Sequence, residues 1–265
     1  MTDTTGSPRP LLVTGGTGTL GSLVVPMLRA AGVPVRILSR SSRPAADGVT
    51  FVRGDLIRDE GLDAALDGVE TVLHLAGGPK NDDVAAHNLV RAAKAAAVRH
   101  LVLISVIGAD TVPLGWFRTK LEAERAVSGS GLPWTTLRAA QFHELALTVA
   151  EKLAKLPVVP VPGGVRWQPV DSRDVAARLV ELALGKPAGL VADLAGPDVR
   201  TLGDLSRDYL RARGKRRLMM PVRMPGKAGR AYRAGDNLSL DGAVLGERTW
   251  EAFLAERLTD ERLAS

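Results

Sequence analysis

The 265-residue chain contains no cysteine. That excludes disulfides, thiolate metal ligands and a cysteine nucleophile. Aromatic residues make up only 4% of it, so a core has to be built mostly from Leu, Val and Ala. No apolar run approaches the roughly 20 residues of a membrane span. The opening Met-Thr-Asp-Thr-Thr-Gly-Ser-Pro lacks the basic-then-apolar pattern of a secretory leader. A cytoplasmic protein without membrane contact is therefore expected, with residues 1–8 as a loose tail. The four histidines show no His-x-His or His-Glu-x-x-His spacing, so no metal is expected. No Gly-x-Ser-x-Gly occurs either, which removes the α/β-hydrolase chemistry.

Charge is present but uneven. The formal balance is +6, yet residues 209–233 alone hold nine Lys or Arg and no acid. The high isoelectric point therefore comes from one segment. A solvated arginine-rich face accounts for it most simply, and a site for an anionic substrate or acidic partner is the alternative. Nucleic acid is disfavoured, because no stacking pattern or reader motif accompanies the charge.

The densest signal is Leu11-Leu-Val-Thr-Gly-Gly-Thr-Gly-Thr-Leu-Gly21. A short apolar strand runs into a glycine loop and then into a helical pattern. A helix N-terminus offers unpaired backbone N–H groups and about half a unit of positive charge. An anion reaches them only where side chains do not intervene. Gly15 permits the tight turn, Gly18 lets backbone approach a pyrophosphate, and Gly21 lets the helix pack closely; Thr17, Thr19 and Leu20 complete the loop. This is the pattern of a dinucleotide cradle.

Strand and helix signals then alternate. Apolar runs at 10–14, 33–39, 49–53, 69–76, 100–105 and 133–138 are separated by helical periodicity at 19–31, 59–67, 82–97, 116–128 and 141–154. Continuously apolar strands joined by helices predict an α/β fold, a Rossmann-type doubly wound parallel sheet with ligands at the strands' carboxyl ends. Residues 9–155 are expected to form the nucleotide-binding core. Residues 156–265 are expected to add the remaining sheet elements and a small substrate-side cap to the same structural unit. Within them, Pro- and Gly-rich 156–164 cannot continue a helix. Asp171 is placed to cap a helix whose Val175, Leu179 and Leu182 share a face. A strand at 189–194, a helix near 202–213, a strand near 216–221 and a helix near 247–257 complete the pattern.

The residues at the strand ends refine the ligand. A site for NAD places an acid after the second strand; here Ser39 and Arg40 stand there. A guanidinium pairs with a 2′-phosphate that a carboxylate would repel, so NADP is expected over NAD. Arg36 reads as a surface arginine. Asp55 is placed to accept from the adenine amino group and Leu56 to cover the ring. Ala76, Gly77 and Gly78 leave room for ribose and phosphates.

The glycine loop, Gly54-Asp-Leu56, His74-Leu-Ala-Gly77, Ile104-Ser105, Lys120 with its Leu-Glu-Ala-Glu, and Leu137-Arg-Ala-Ala-Gln-Phe-His-Glu144 occur in that order. Over residues 10–255 the chain resembles the atypical short-chain dehydrogenase/reductases, and among them the NmrA-like NAD(P)-binding proteins. The resemblance implies a sheet order 3-2-1-4-5-6-7, a ribose-binding Lys120 and a Ser105 at the catalytic serine position. It also exposes a departure. The usual Tyr-x-x-x-Lys pair has Trp116 in place of the Tyr, and an indole N–H does not exchange a proton near neutral pH. Lys120 and His143, just past the sixth strand, are the remaining proton-handling candidates. Two functions follow: an NADPH-dependent reductase of a quinone, enone or carbonyl small molecule, or a non-catalytic NADP-sensing regulator. Neither the substrate nor the oligomeric state is legible.

Overall fold

A computed structural model of the chain describes residues 9–45, 48–78 and 80–263. The expected tail at 1–8 lies outside them. The chain forms two compact units, the first of Met1–Ser105, Gly115–Leu137 and Ala176–Val191, the second of Val106–Leu114, Arg138–Val175 and Ala192–Ser265.

The first unit alternates strands and helices: β1 (Leu11–Thr14), α1 (Thr19–Ala30), β2 (Val35–Ser39), β3 (Val49–Arg53), α2 (Leu62–Leu66), β4 (Thr71–His74), α3 (Asp82–Ala95), β5 (His100–Val106), α4 (Gly115–Ser128) and β6 (Trp134–Ala139). Their hydrogen-bonded order is β3-β2-β1-β4-β5-β6, the first six places of the expected order. Leu12 pairs with Arg36 on one side and Val72 on the other, both in parallel. Every residue of β1 and β5 is buried, as strands covered on both faces require. The surrounding core is aliphatic, with Leu12, Leu66, Val72, Leu89, Ala93 and Leu101 at its centre. The fold is the expected Rossmann-type α/β arrangement.

Two readings change here. The helix expected over 59–67 shrinks to α2, because residues 55–60 close a small bridge and Asp59 and Gly61 take positive φ. Arg36 is not a free surface arginine: its guanidinium donates to the Ala65 and Asp67 carbonyls, at 3.1 and 2.6 Å, and closes the end of α2.

After β6 come α5 (His143–Leu153), β7 (Val158–Pro162), β8 (Arg166–Trp167), α6 (Ser172–Leu184), β9 (Gly189–Leu190), β10 (Leu194–Ala195), β11 (Arg200–Thr201), α7 (Leu202–Ala212), β12 (Leu218–Val222), α8 (Gly226–Ala234), β13 (Val244–Leu245) and α9 (Trp250–Leu263). The strand expected at 189–194 is split in two. β9 joins β6 at Thr135 and Thr136, whereas β10 runs between Ala139 and β13. β7 and β12 form a separate parallel pair. In the second unit α7 packs against α5 and α9. The core there uses the scarce aromatics: Trp167, Tyr209, Trp250 and Phe253 with Val159, Leu205 and Leu210.

Asp171 heads α6 as expected, and its role is larger than a cap. Its carbonyl accepts from the Asp174 and Val175 N–H groups. Its carboxylate accepts from the Arg173 backbone N–H and, through both oxygens, from the Arg173 guanidinium at 2.8–2.9 Å. That guanidinium also donates to Glu256 on α9. Burial alone would push the Asp171 carboxyl up; the nearby His143 ring and the bonds from Arg173 hold it well below the usual carboxylate range. A depressed carboxyl contributes stability that is fully present above its ordinary value of 3.8 and is lost as pH falls through the folded value. Asp171→Asn is expected to lower unfolding free energy by about 3 kcal/mol at neutral pH. Denaturant titrations of both proteins should also show a smaller acid loss in the variant below pH 3.8.

Candidate functional site

The first unit builds its candidate site at the carboxyl ends of β1 and β4 and the start of α1. Three glycines make the turn. Gly15 has φ +69°, and a Cβ there would lie 2.6 Å from the Ala76 nitrogen. A Cβ on Gly21 would lie 2.3 Å from the Gly15 carbonyl oxygen. Gly21 therefore lets α1 seat directly on the loop backbone. Gly18 differs: its Cβ would meet nothing closer than the Gly15 oxygen at 3.4 Å, and its φ of −86° suits any residue. The protein itself does not require glycine at 18. No side chain caps α1, and Thr17, Gly18 and Thr19 are exposed. The first turn thus presents open backbone N–H groups to an anion, as a pyrophosphate cradle requires; Leu20 is buried beneath it.

Ser39 and Arg40 end β2, Ser39 half-buried with its Oγ accepting from the Ser41 N–H at 3.2 Å, Arg40 exposed. Asp55 is half-buried, and its Oδ1 accepts from the Ile57 N–H at 2.8 Å. Leu56 is turned into the aliphatic core. Ala76, Gly77 and Gly78 follow β4, and the Ala76 N–H donates to Thr14 Oγ1 at 3.2 Å. The same hydroxyl lies 2.6 Å from Nδ1 of the buried His74. Burial and then the Lys120 charge push the His74 imidazole down to about 3, so this ring is a neutral strut.

Lys120 is nearly buried and does not stand alone. Its Nζ lies 2.8 Å from Asp82 Oδ2, and the two side chains are 12% and 6% exposed. Asp82 Oδ1 accepts from the Gly78 N–H at 2.8 Å. A Cβ on Gly77 would come within 2.9 Å of Nζ. The ion pair therefore ties α4, the start of α3 and the Gly77–Gly78 loop into one assembly. One turn beyond Lys120, the buried Glu124 accepts from Ser105 Oγ at 2.5 Å. One turn before it, Trp116 is half-buried with its ring edge-on to Phe117, centroids 5.0 Å apart.

His143 belongs to the second unit. It is fully buried, its Nε2 donates to the Pro169 carbonyl at 3.1 Å, and its Nδ1 lies 3.9 Å from Asp171. Trp250 and Phe253 pack around the ring. Sequence reading missed Asp82 and Glu124. Both carried a signal: Asp82 stands at the head of a helix just after the small-residue loop, and Glu124 follows Lys120 at the four-residue spacing that shares a helix face.

A parallel sheet with this cradle defines a dinucleotide-binding α/β protein. Residues 15–184 match the model of an NAD(P)H-binding family. The chain belongs to that family, and its motifs resemble those of the atypical short-chain dehydrogenase/reductases. It is 36% identical to an NAD(P)H azoreductase of Xenophilus azovorans, over 67% of this chain and 64% of that one. It is 30% identical to quinone oxidoreductase 2 of Escherichia coli, over 77% of this chain and 75% of the relative. Its fold matches the structure of an NADPH-dependent quinone oxidoreductase of Escherichia coli complexed with NADPH. That match has a TM-score of 0.80 and 24% identity, and covers 94% of this chain and 99% of the other.

The two roles of the glycines can be separated by substitution. Gly18→Val is expected to abolish NADPH binding in a fluorescence titration while changing unfolding free energy by less than about 1 kcal/mol. A folded Gly18→Val protein that binds with unchanged affinity would displace the cradle from this loop.

Proposed function

We propose that the protein is an NADPH-dependent reductase whose acceptor is a quinone-type small molecule. In this reading the loop of residues 15–21 holds the pyrophosphate and Arg40 the 2′-phosphate. Asp55 borders the adenine, and Ser39, Ala76, Gly77 and Gly78 frame the riboses. Lys120 donates to the nicotinamide ribose, and Ser105 orients the acceptor. When bound, the cofactor supplies a hydride. The names of the azoreductase and quinone oxidoreductase relatives support this class.

The observation that carries the choice of acceptor is the helix face around Lys120. The side chain one turn before it is an indole, and the ammonium is held by Asp82. An indole does not offer the mobile proton that carbonyl reduction takes from a phenol, and the Lys120 ammonium is already engaged by Asp82. A quinone accepts hydride readily, and its reduced oxygens take protons from water. His143 is assigned a structural role, since its Nε2 proton is committed to Pro169. The rival reading, an NADP sensor without turnover, rests on Trp116 and on the resemblance to the NmrA-like proteins.

Two measurements test the proposal. NADPH should bind more tightly than NADH, and Arg40→Ala should remove about 1.5–3 kcal/mol of that preference by loss of a charge-assisted paired contact. Equal affinities in the unaltered protein would refute the NADP assignment. NADPH oxidation should proceed with a quinone and be slow with an aldehyde. Trp116→Tyr should leave the quinone rate within about threefold and raise the aldehyde rate, since a restored general acid is typically worth ~10²–10⁴-fold. Absence of turnover by both proteins on every acceptor would favour the sensor.

A further inference from the structure

The chain's excess positive charge lies around one exposed strand of the second unit. Residues 215–227 include Lys215, Arg216, Arg217, Arg223 and Lys227 and no carboxylate. All five are exposed. Arg211 and Arg213, just before them, pair with Asp208 and Glu261. No carboxylate among the described residues pairs with the five. Between them runs β12, Leu218-Met-Met-Pro-Val222, which pairs with β7 along one edge.

Successive side chains of a strand point to opposite faces. Met219 turns inward and packs on the core of α5, α7 and α9. Leu218 and Met220 turn outward and are 70% and 52% exposed. Single exposed apolar residues are ordinary. Here two share one face of one strand, with three unpaired cations before them and two after. Apolar side chains that insert and cations that meet lipid headgroups are the two parts of interfacial membrane binding. Peripheral binding needs no spanning helix, and among the described residues no helix is long and apolar enough to span.

We propose that β12 and its flanking cations form a docking surface for an anionic phospholipid bilayer. Charge complementarity selects the headgroup. The protruding aliphatic pair selects a bilayer over nucleic acid, because Tyr209 is buried and Tyr232 packs on the core, which leaves the segment no exposed ring on which a base could stack. A missing apolar run speaks against a spanning segment, and the contact proposed is peripheral.

Co-sedimentation of the full chain with vesicles tests it. Binding is expected to vesicles of phosphatidylcholine mixed with phosphatidylglycerol, to be at least about tenfold weaker to phosphatidylcholine alone, and to fall as salt is raised. Leu218→Ser with Met220→Ser should weaken binding at least about fivefold, and Arg216→Glu with Arg217→Glu at least about tenfold. The charge pair lies outside β12, so it carries the test should the strand variant fail to fold by circular dichroism. NADPH affinity should be unchanged in the folded variants. No preference for the anionic vesicles, or binding indifferent to both the charge reversal and the folded strand variant, overturns the proposal. Tight binding to a duplex oligonucleotide with none to vesicles also overturns it and assigns the surface to nucleic acid.

Discussion

The close approach of backbone to backbone at the start of α1 is the constraint on which the first unit's site depends. A side-chain carbon on Gly21 would stand 2.3 Å from the Gly15 oxygen, and one on Gly15 would stand 2.6 Å from Ala76. With both absent, the loop after β1 folds under the helix and lies against the segment after β4. This contact brings the N-terminus of α1 beside Ala76, and Thr14 then fixes that segment through its hydroxyl. The same contact removes side chains from the space before the helix. Packing and the open space before the helix are thus set by one local geometry, and Gly18 is the position whose glycine no packing contact requires.

A second arrangement fixes Lys120. An ammonium with a carboxylate at 2.8 Å, both nearly buried, is costly to separate, because either charge left alone would be desolvated without compensation. Lys120 is therefore fixed in place, and its position is passed through Asp82 to the Gly78 N–H. An ammonium fixed in this way suits the holding of hydroxyl groups. With Trp116 in place of a phenol, the acceptor in the proposed reaction is one that needs little acid help.

Much of the first unit was legible because its signals are local. Continuous apolar runs such as β5 and spaced glycines such as 15, 18 and 21 act within a few residues. What escaped depends on distant partners. β7 contains Pro160 and Pro162, which argue against a strand. It forms one because it sits outside the main sheet and, among the described residues, pairs only with β12, so the missing N–H groups break no central ladder. α8 was hidden inside a charge reading, although Gly235 at φ +90° supplies an ordinary helix stop after it. Asp82 could be placed on a helix from sequence, but its partner 38 residues away could not. Leu56 shows the same limit: adenine contact and core burial call for the same residue type, and the structure places it in the core.

The scarcity of aromatics constrains where they are used. A parallel sheet flanked by helices fills well with Leu, Val and Ala, and the first unit's core does so. The second unit packs α5, α7 and α9 on one another, and there the wider gaps take Trp167, Tyr209, Trp250 and Phe253. His143 is part of that filling. Its ring is tilted against Trp250 and Phe253 at 5.9 and 5.1 Å, and its Nε2 bond to Pro169 fixes the orientation. The motif that drew attention to this histidine is thus met by a packing requirement of the helices. That returns the proton question to the face around Lys120, where Trp116 stands in place of a phenol.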